Sequence, residues 1–206
     1  MGYGRKRART RDQLIEAGLD AWAAKGERLT VLDVASRAGL ANGTFYNYFQ
    51  DRDELLDALA DATVARLAEQ AARDTEGAEP AWRFAVGSFR VLELVSENPT
   101  LGKVLLGLAM SGRTLSAASL VYVVDDLADG HAGGVFQMEI DEITFDLVIG
   151  FLGAAVRRIV AGEAEPQYSR RVVTRLLSLL GVPEERIAAI DSALAKNRHR
   201  DGKFNS

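Results

Sequence analysis

Residues 42–49 read NGTFYNYF, a stretch that mixes two kinds of side chain. Asn42, Thr44, Tyr46, Asn47 and Tyr48 carry amides, a hydroxyl and phenols. These neutral donors and acceptors reach phosphate oxygens and base edges but make no bonds of their own. Phe45 and Phe49, four positions apart, share a helix face and suit a core. The chemistry implied is recognition of a polar, anionic surface by one side of a short helix. From spacing alone, an αα-corner with tyrosines along its rim remains an alternative.

Bond-making chemistry finds no support elsewhere. The chain has no cysteine, so thiolate nucleophiles, disulfides and cysteine-zinc sites are excluded together. Serines and acids are present, but none has nucleophile–base spacing. His131 lies close in sequence to Asp125, Asp126 and Asp129, and His199 sits in NRHRDGK. A single histidine without a second ligand reads as a loop residue rather than a metal centre. Glycines in FLGAAV and LGLAMSG follow no strand and form no phosphate cradle. No catalytic residue, metal ligand or cofactor is expected.

Charge is unevenly placed along the 206 residues. The formal net charge is −4, yet residues 1–49 hold eight Lys/Arg against five Asp/Glu, leaving about +3 there and about −7 in the rest. Five of the eight lie in RKRARTR, Arg5 to Arg11. A basic start before an acidic body implies an anionic partner at one end only; a solubilising tail is the other reading. No long apolar run follows the basic start, so no signal peptide is expected. TLSAASLVYVV and LVIGFLGAAV fall short of the roughly 20 residues a bilayer requires. A cytoplasmic protein without a membrane partner is expected.

The elements that must position NGTFYNYF are helices throughout. A first helix is expected from TRDQ, with Thr10 as cap and Gln13 reaching back, through Leu14, Ile15, Ala21 and Trp22 to Gly26. A second opens at Thr30 with Asp33 at its third position and ends at Gly39. A third covers Asn42–Phe49, and Asp51 with Glu54 caps a fourth from about Arg52 to Ala72. Ala35 is small where two helices cross, and Gly39 can take positive φ in the turn between them. RDTEGAEP, 73–80, reads as a junction. A helix from Trp82 to Glu97 confines its charges to a narrow sector and should run through the middle of a second unit. Further helices fit at about 100–111, 114–129, 139–162, 167–180 and 183–196, with breaks at Gly112, GHAGG, GEAEPQ and GVP. The fold class is all-α, a three-helix head on a larger antiparallel body. The division is 1–51 for a helix-turn-helix head, 52–79 for a connecting helix and junction, and 80–206 for a body.

LTVLDVASRAGLANGTFYNYFQDRDELLDAL resembles the DNA-binding head of the TetR (tetracycline-repressor-like) family of bacterial transcriptional regulators. The likeness covers about residues 10–60: A-x3-G, then G-T-F-Y-x-Y-F, then D-E-L opening the next helix. It implies that Thr30 contacts a phosphate and that Arg37 reaches a phosphate or base edge. Gly43 would let the backbone approach the DNA, while Thr44 and Tyr46 would carry recognition. Asn47 and Tyr48 would reach bases or flanking phosphates, and Arg52 would meet a phosphate. Three departures stand out: Ala41 replaces a usual capping serine, Asn47 a common histidine, and the GERLT turn looks short.

For the body, the resemblance implies a ligand pocket and dimerisation through the last long helices. Trp82, Phe89, Met110, Tyr122 and Phe145 are candidate ligand contacts, with plain core as the other reading of each. ITFDLVIGFLGAAVRRIV is apolar all round near its centre, and Gly150 and Gly153 would admit a close helix. SRRVVTRLLSLLG carries a stripe that includes Val173, Leu176, Leu177 and Leu180. These six residues are candidate dimer contacts, with an internal core as the other reading of the two helices. The expected function is a ligand-responsive regulator, a homodimer released from an inverted-repeat operator in double-stranded DNA by an unknown small-molecule effector. The alternatives are an all-α binding protein or enzyme whose head does not read DNA, and a regulator without a small ligand.

Overall fold

The computed structural model describes residues 2–110 and 117–201, with side chains placed for 5–26, 28–106 and 120–196. Ten α-helices and no strand occur among the described residues: α1 Gly2–Lys25, α2 Val31–Arg37, α3 Asn42–Phe45, α4 Arg52–Asp74, α5 Pro80–Glu97, α6 Pro99–Met110, α7 Ala117–Ala132, α8 Glu142–Val160, α9 Tyr168–Leu179 and α10 Glu184–Asp201. The expected Gly112 break and the start of the 114–129 helix lie outside the described residues.

The head closes around Leu14, Leu29, Val34, Phe45, Phe49 and Leu55, all at most 2% exposed. Its local signals act as their chemistry dictates. Thr30 caps α2 by accepting from the Asp33 amide, and Asp33 accepts from the Thr30 amide in return. Gly39 takes φ +68°; its amide bonds Ser36 O at 3.1 Å and that of Leu40 bonds Ala35 O at 2.9 Å. This paired closure satisfies the last carbonyls of α2. Asp51 caps α4 through the Glu54 amide.

Two expectations for the head are corrected. α1 does not begin at Thr10: Thr10 Oγ1 donates to Lys6 O within a continuous helix, and Gln13 Nε2 donates 2.7 Å to Ala38 O at the turn after α2. Arginine, lysine and alanine are good helix formers, so nothing in RKRAR stops the helix. α3 is also shorter than Asn42–Phe49. Ala41 offers no side-chain cap, and after Phe45 the backbone tightens, with Asn47 N bonding Thr44 O and Tyr48 N bonding Phe45 O.

α4 ties head to body. Leu55, Leu56 and Leu59 enter the head core, Ala60 packs on Leu101 of α6, and Ala71 enters the body core. Thr75 ends α4, Gly77 turns the chain at φ +75°, and Pro80 opens α5. α5 runs through the body as its charge pattern predicts, contacting α4 and α6 to α10. It buries Ala81, Phe84, Ala85, Leu92 and Val95 within 2% of full cover, and Phe84 meets Phe136 edge-on at 6.0 Å. Arg83 ties α5 to α7, donating to Asp126 at 2.5 Å and Asp129 at 2.6 Å, with Ala78 O at 3.0 Å.

Candidate nucleic-acid interface

The turn after α2 and the packing of Phe45 and Phe49 fix which side of α3 is left outside. Phe45 is 0% and Phe49 1% exposed, with ring centroids 5.4 Å apart. Their burial turns Tyr46 outward, 55% exposed and edge-on to Phe45 at 5.3 Å. Asn42, Gly43 and Asn47 are exposed beside it, and Thr44 is half-buried. A Cβ added at Gly43 would meet nothing within 4 Å, so its open side is a surface another molecule can approach. Asn42, Gly43, Thr44, Tyr46 and Asn47 thus share one short outward-facing segment.

Four predicted residues sit differently from that group. Thr30 is exposed, but its hydroxyl is engaged as the α2 cap and donates to Asp33 Oδ2 at 2.8 Å. Arg37 is exposed in the last turn of α2. Tyr48 is half-buried beneath the guanidinium of Arg7, 5.9 Å from its ring centroid. Arg52 is half-buried, with Nε donating 2.8 Å to Leu29 O, so part of this side chain holds α4 to the start of α2. Lys25 bonds Asp33 at 2.6 Å; with the Thr30 bonds, this holds the Asp33 carboxyl down at about 2. The cap therefore stays ionised at neutral pH.

The body corrects the dimer expectation for α9. Val173, Leu176, Leu177 and Leu180 are 0–1% exposed within a single chain, because they lie in the body core, where α9 meets α5, α8 and α10. They form core, not a self-pairing surface. On α8, Gly150 is exposed and Gly153 half-buried, and a Cβ at either would meet nothing within 4 Å. Ile143 (65% exposed), Leu147 (58%), Gly150 and Ala154 recur at helical spacing on the outer side of α8; Leu179 of α9 is also 51% exposed. Sequence periodicity missed Ile143 and Leu147 because α8 is apolar on several sides.

Three of the candidate ligand contacts, Trp82, Phe89 and Phe145, lie in or against the body core. Phe89 is 8% exposed in the body core, Phe145 is half-buried against it, and Tyr122 is half-buried on α7. Trp82 lines an open groove of about 280 Å³ between α5 and α10, beside the Arg186–Glu79 ion pair. The side chain of Met110 lies outside the described residues. A different polar group emerges: Ser88 on α5 is 3% exposed, and its hydroxyl has no hydrogen-bond partner among the described residues. A lone serine in an otherwise apolar helix face was the available signal. A second open cleft, about 250 Å³, lies between head and body, lined by Trp22, Arg52, Leu56, Thr100, Lys103 and Val104.

His131 is exposed, and Asp126 and Asp129 are bonded to Arg83. Among the described residues no three His, Asp or Glu side chains gather to hold a metal, and no helix is long and apolar enough to cross a membrane.

Comparison with known proteins agrees with this geometry. Residues 14–59 match the family model for bacterial regulatory proteins of the tetR family. An uncharacterized HTH-type transcriptional regulator, YvdT of Bacillus subtilis strain 168, is 28% identical over 72 residues. The match covers 34% of this chain and spans 37% of that relative's length. Among solved structures, the transcriptional repressor QsdR of R. erythropolis superposes with a TM-score of 0.67 at 21% identity, covering 85% of this chain and 96% of the other. RolR in complex with resorcinol gives 0.66 at 22%, covering 92% and 96%. FadR of Bacillus subtilis in complex with stearoyl-CoA gives 0.56 at 19%, covering 82% and 96%. At these identities the likenesses establish a shared fold. The matched family is one of regulatory proteins, YvdT is an HTH-type transcriptional regulator and QsdR a transcriptional repressor. With its turn, its recognition segment and its matched residues 14–59, the head of this chain is similar to the tetR family of bacterial regulatory proteins.

Proposed function

We propose that this protein is a homodimeric, ligand-responsive transcriptional regulator that represses by occupying an inverted-repeat operator and is released by a small organic effector. The observation that carries the reading is the outward segment Asn42–Asn47, with Tyr46 55% exposed and Phe45 and Phe49 locked beneath it. Thr44 and Tyr46 serve as the main base contacts, with Asn42, Asn47 and Tyr48 beside them. Gly43 gives backbone approach, and Thr30, Arg37 and Arg52 lie on phosphates. The head is residues 1–51, the connecting helix and junction 52–79, and the body 80–206.

One head offers few base contacts. Two heads held about 34–36 Å apart, one turn of DNA, read two half-sites together. The outer stripe of α8, through Ile143, Leu147, Gly150 and Ala154, supplies the symmetric contact. Effector binding in the body changes the spacing of the heads through α4. The solved relatives with resorcinol and stearoyl-CoA support an organic effector. The unpartnered Ser88 hydroxyl offers such a molecule a hydrogen bond in the body core.

The test is selection of bound duplexes from a random-sequence pool, followed by titration. Enrichment of an inverted repeat, with Tyr46→Ala or Thr44→Ala weakening its binding by about 1–3 kcal/mol, is the expected result. A pool that yields no preferred sequence, or wild-type affinity in both variants, overturns the reading.

A further inference from the structure

The basic run Arg5–Arg11 is helical, and the helix divides it into two faces. At 100° per residue, Arg7 and Arg11 fall on the same side as Leu14, Gly18 and Ala21. That side is the one α1 turns to the head core. Leu14 is 0% and Ala21 3% exposed, and a Cβ on Gly18 would come 2.8 Å from Leu59 Cδ2. Arg5 and Arg9 fall on the opposite side and Lys6 on the flank, all three exposed, with no ion pair among the described residues.

Where the buried side of α1 passes the end of the core, its apolar residues give way to arginines, and these lie on the reading segment. Arg7 Nη2 donates 3.3 Å to the backbone carbonyl of Asn47, and its guanidinium lies over the Tyr48 ring at 5.9 Å. Arg11 lies over the Phe49 ring at 5.2 Å. The segment needs such support. α3 is four residues long with no side-chain cap, and one helical turn lacks the cooperativity to hold itself. A cation at its last carbonyl and planar guanidinium groups on its aromatic rings stabilise its end.

We propose that Arg7 and Arg11 are positioning residues that clamp Asn47–Phe49 and so set the angle of Tyr46 toward DNA, leaving Arg5, Lys6 and Arg9 as the phosphate-binding set. The inference rests on the DNA-binding reading for its consequence, but the clamp itself is testable without DNA.

Two variants separate the roles. Arg7→Lys with Arg11→Lys keeps both charges and removes the planar fork. Its salt slope should stay at the wild-type value, while the ratio of affinity for the selected duplex over a random one falls about tenfold. In the free protein, amide exchange at Asn47, Tyr48 and Phe49 should quicken about tenfold, with the amides of α8 unchanged. Arg5→Gln, Lys6→Gln and Arg9→Gln together should leave exchange and the ratio alone and flatten the log–log salt slope by roughly 2 to 3, about 0.9 per contact. Wild-type exchange in the lysine pair overturns the clamp. Faster exchange with an unchanged affinity ratio overturns its positioning role. A wild-type protein with no salt-dependent DNA binding defeats the DNA-binding reading instead, while the exchange measurement still decides the clamp.

Discussion

Leu147 and Leu177 are the same residue type with opposite surroundings, 58% and 0% exposed, and substituting each by glutamine separates dimer surface from core. Glutamine keeps the approximate volume and removes the apolar burial. Fully burying a leucine is worth about 1.5–3 kcal/mol, so covering the 58% of Leu147 now open to solvent is worth about 0.9–1.7 kcal/mol per copy. A two-fold axis counts it twice, giving about 2–3.5 kcal/mol, or a dimer weakened roughly 25- to 300-fold. The folding stability of the separate chain should change by no more than about 0.5 kcal/mol, as for other surface sites. Leu177→Gln places an amide in a closed apolar site and should cost about 3–5 kcal/mol, a large part of a domain's stability. Sedimentation equilibrium over a concentration series, with urea unfolding of the same samples, measures both quantities. The expected wild-type species has twice the 22.3 kDa chain mass. A Leu147→Gln protein that associates like wild type refutes the α8 surface. A Leu177→Gln protein that unfolds at the wild-type midpoint but runs as a monomer refutes the assignment of α9 to the core.

Asp33, lowered from the ordinary 3.8 to about 2 by Lys25 and the Thr30 cap, stabilises the fold above pH 3.8 and loses that contribution as pH falls through about 2. Asp33→Asn should therefore flatten the acid limb of a stability–pH curve between pH 4 and 2; an unchanged limb would show that the cap does not titrate with folding. Arg83→Leu strands Asp126, whose carboxyl burial already pushes upward, and should cost about 1–3 kcal/mol by denaturant unfolding. Adding Asp126→Asn should recover part of that loss, and no recovery would mean that the damage lies in packing. Gly181 holds φ +81°, and a Cβ there would come 2.7 Å from Gln137 Cβ, so Gly181→Ala should lower stability by about 1–3 kcal/mol, visible as a reduced Tm.

Residues that act over one or two turns were legible in the chain. Thr30 with Asp33, Asp51 with Glu54, Ala35 with Gly39, and Phe45 with Phe49 each depend on neighbours three or four positions away. Backbone geometry fixes those distances whatever the rest of the molecule does. The head, its turn and the outward set around Tyr46 follow from them. Periodicity also showed that α9 has a covered side, through Val173, Leu176, Leu177 and Leu180. It could not name what covers that side, because a stripe records burial and not the partner. Only the packing of α9 against α5, α8 and α10 decides that the cover is internal, and that the outer side of α8 is left open. The start of α1 and the role of Arg7 and Arg11 were hidden for the same reason. A basic run reads as a solvated arm until α3, some 40 positions further on, is folded back beneath it. Local spacing is set by covalent geometry, whereas contacts across the chain exist only once the core has brought their elements together.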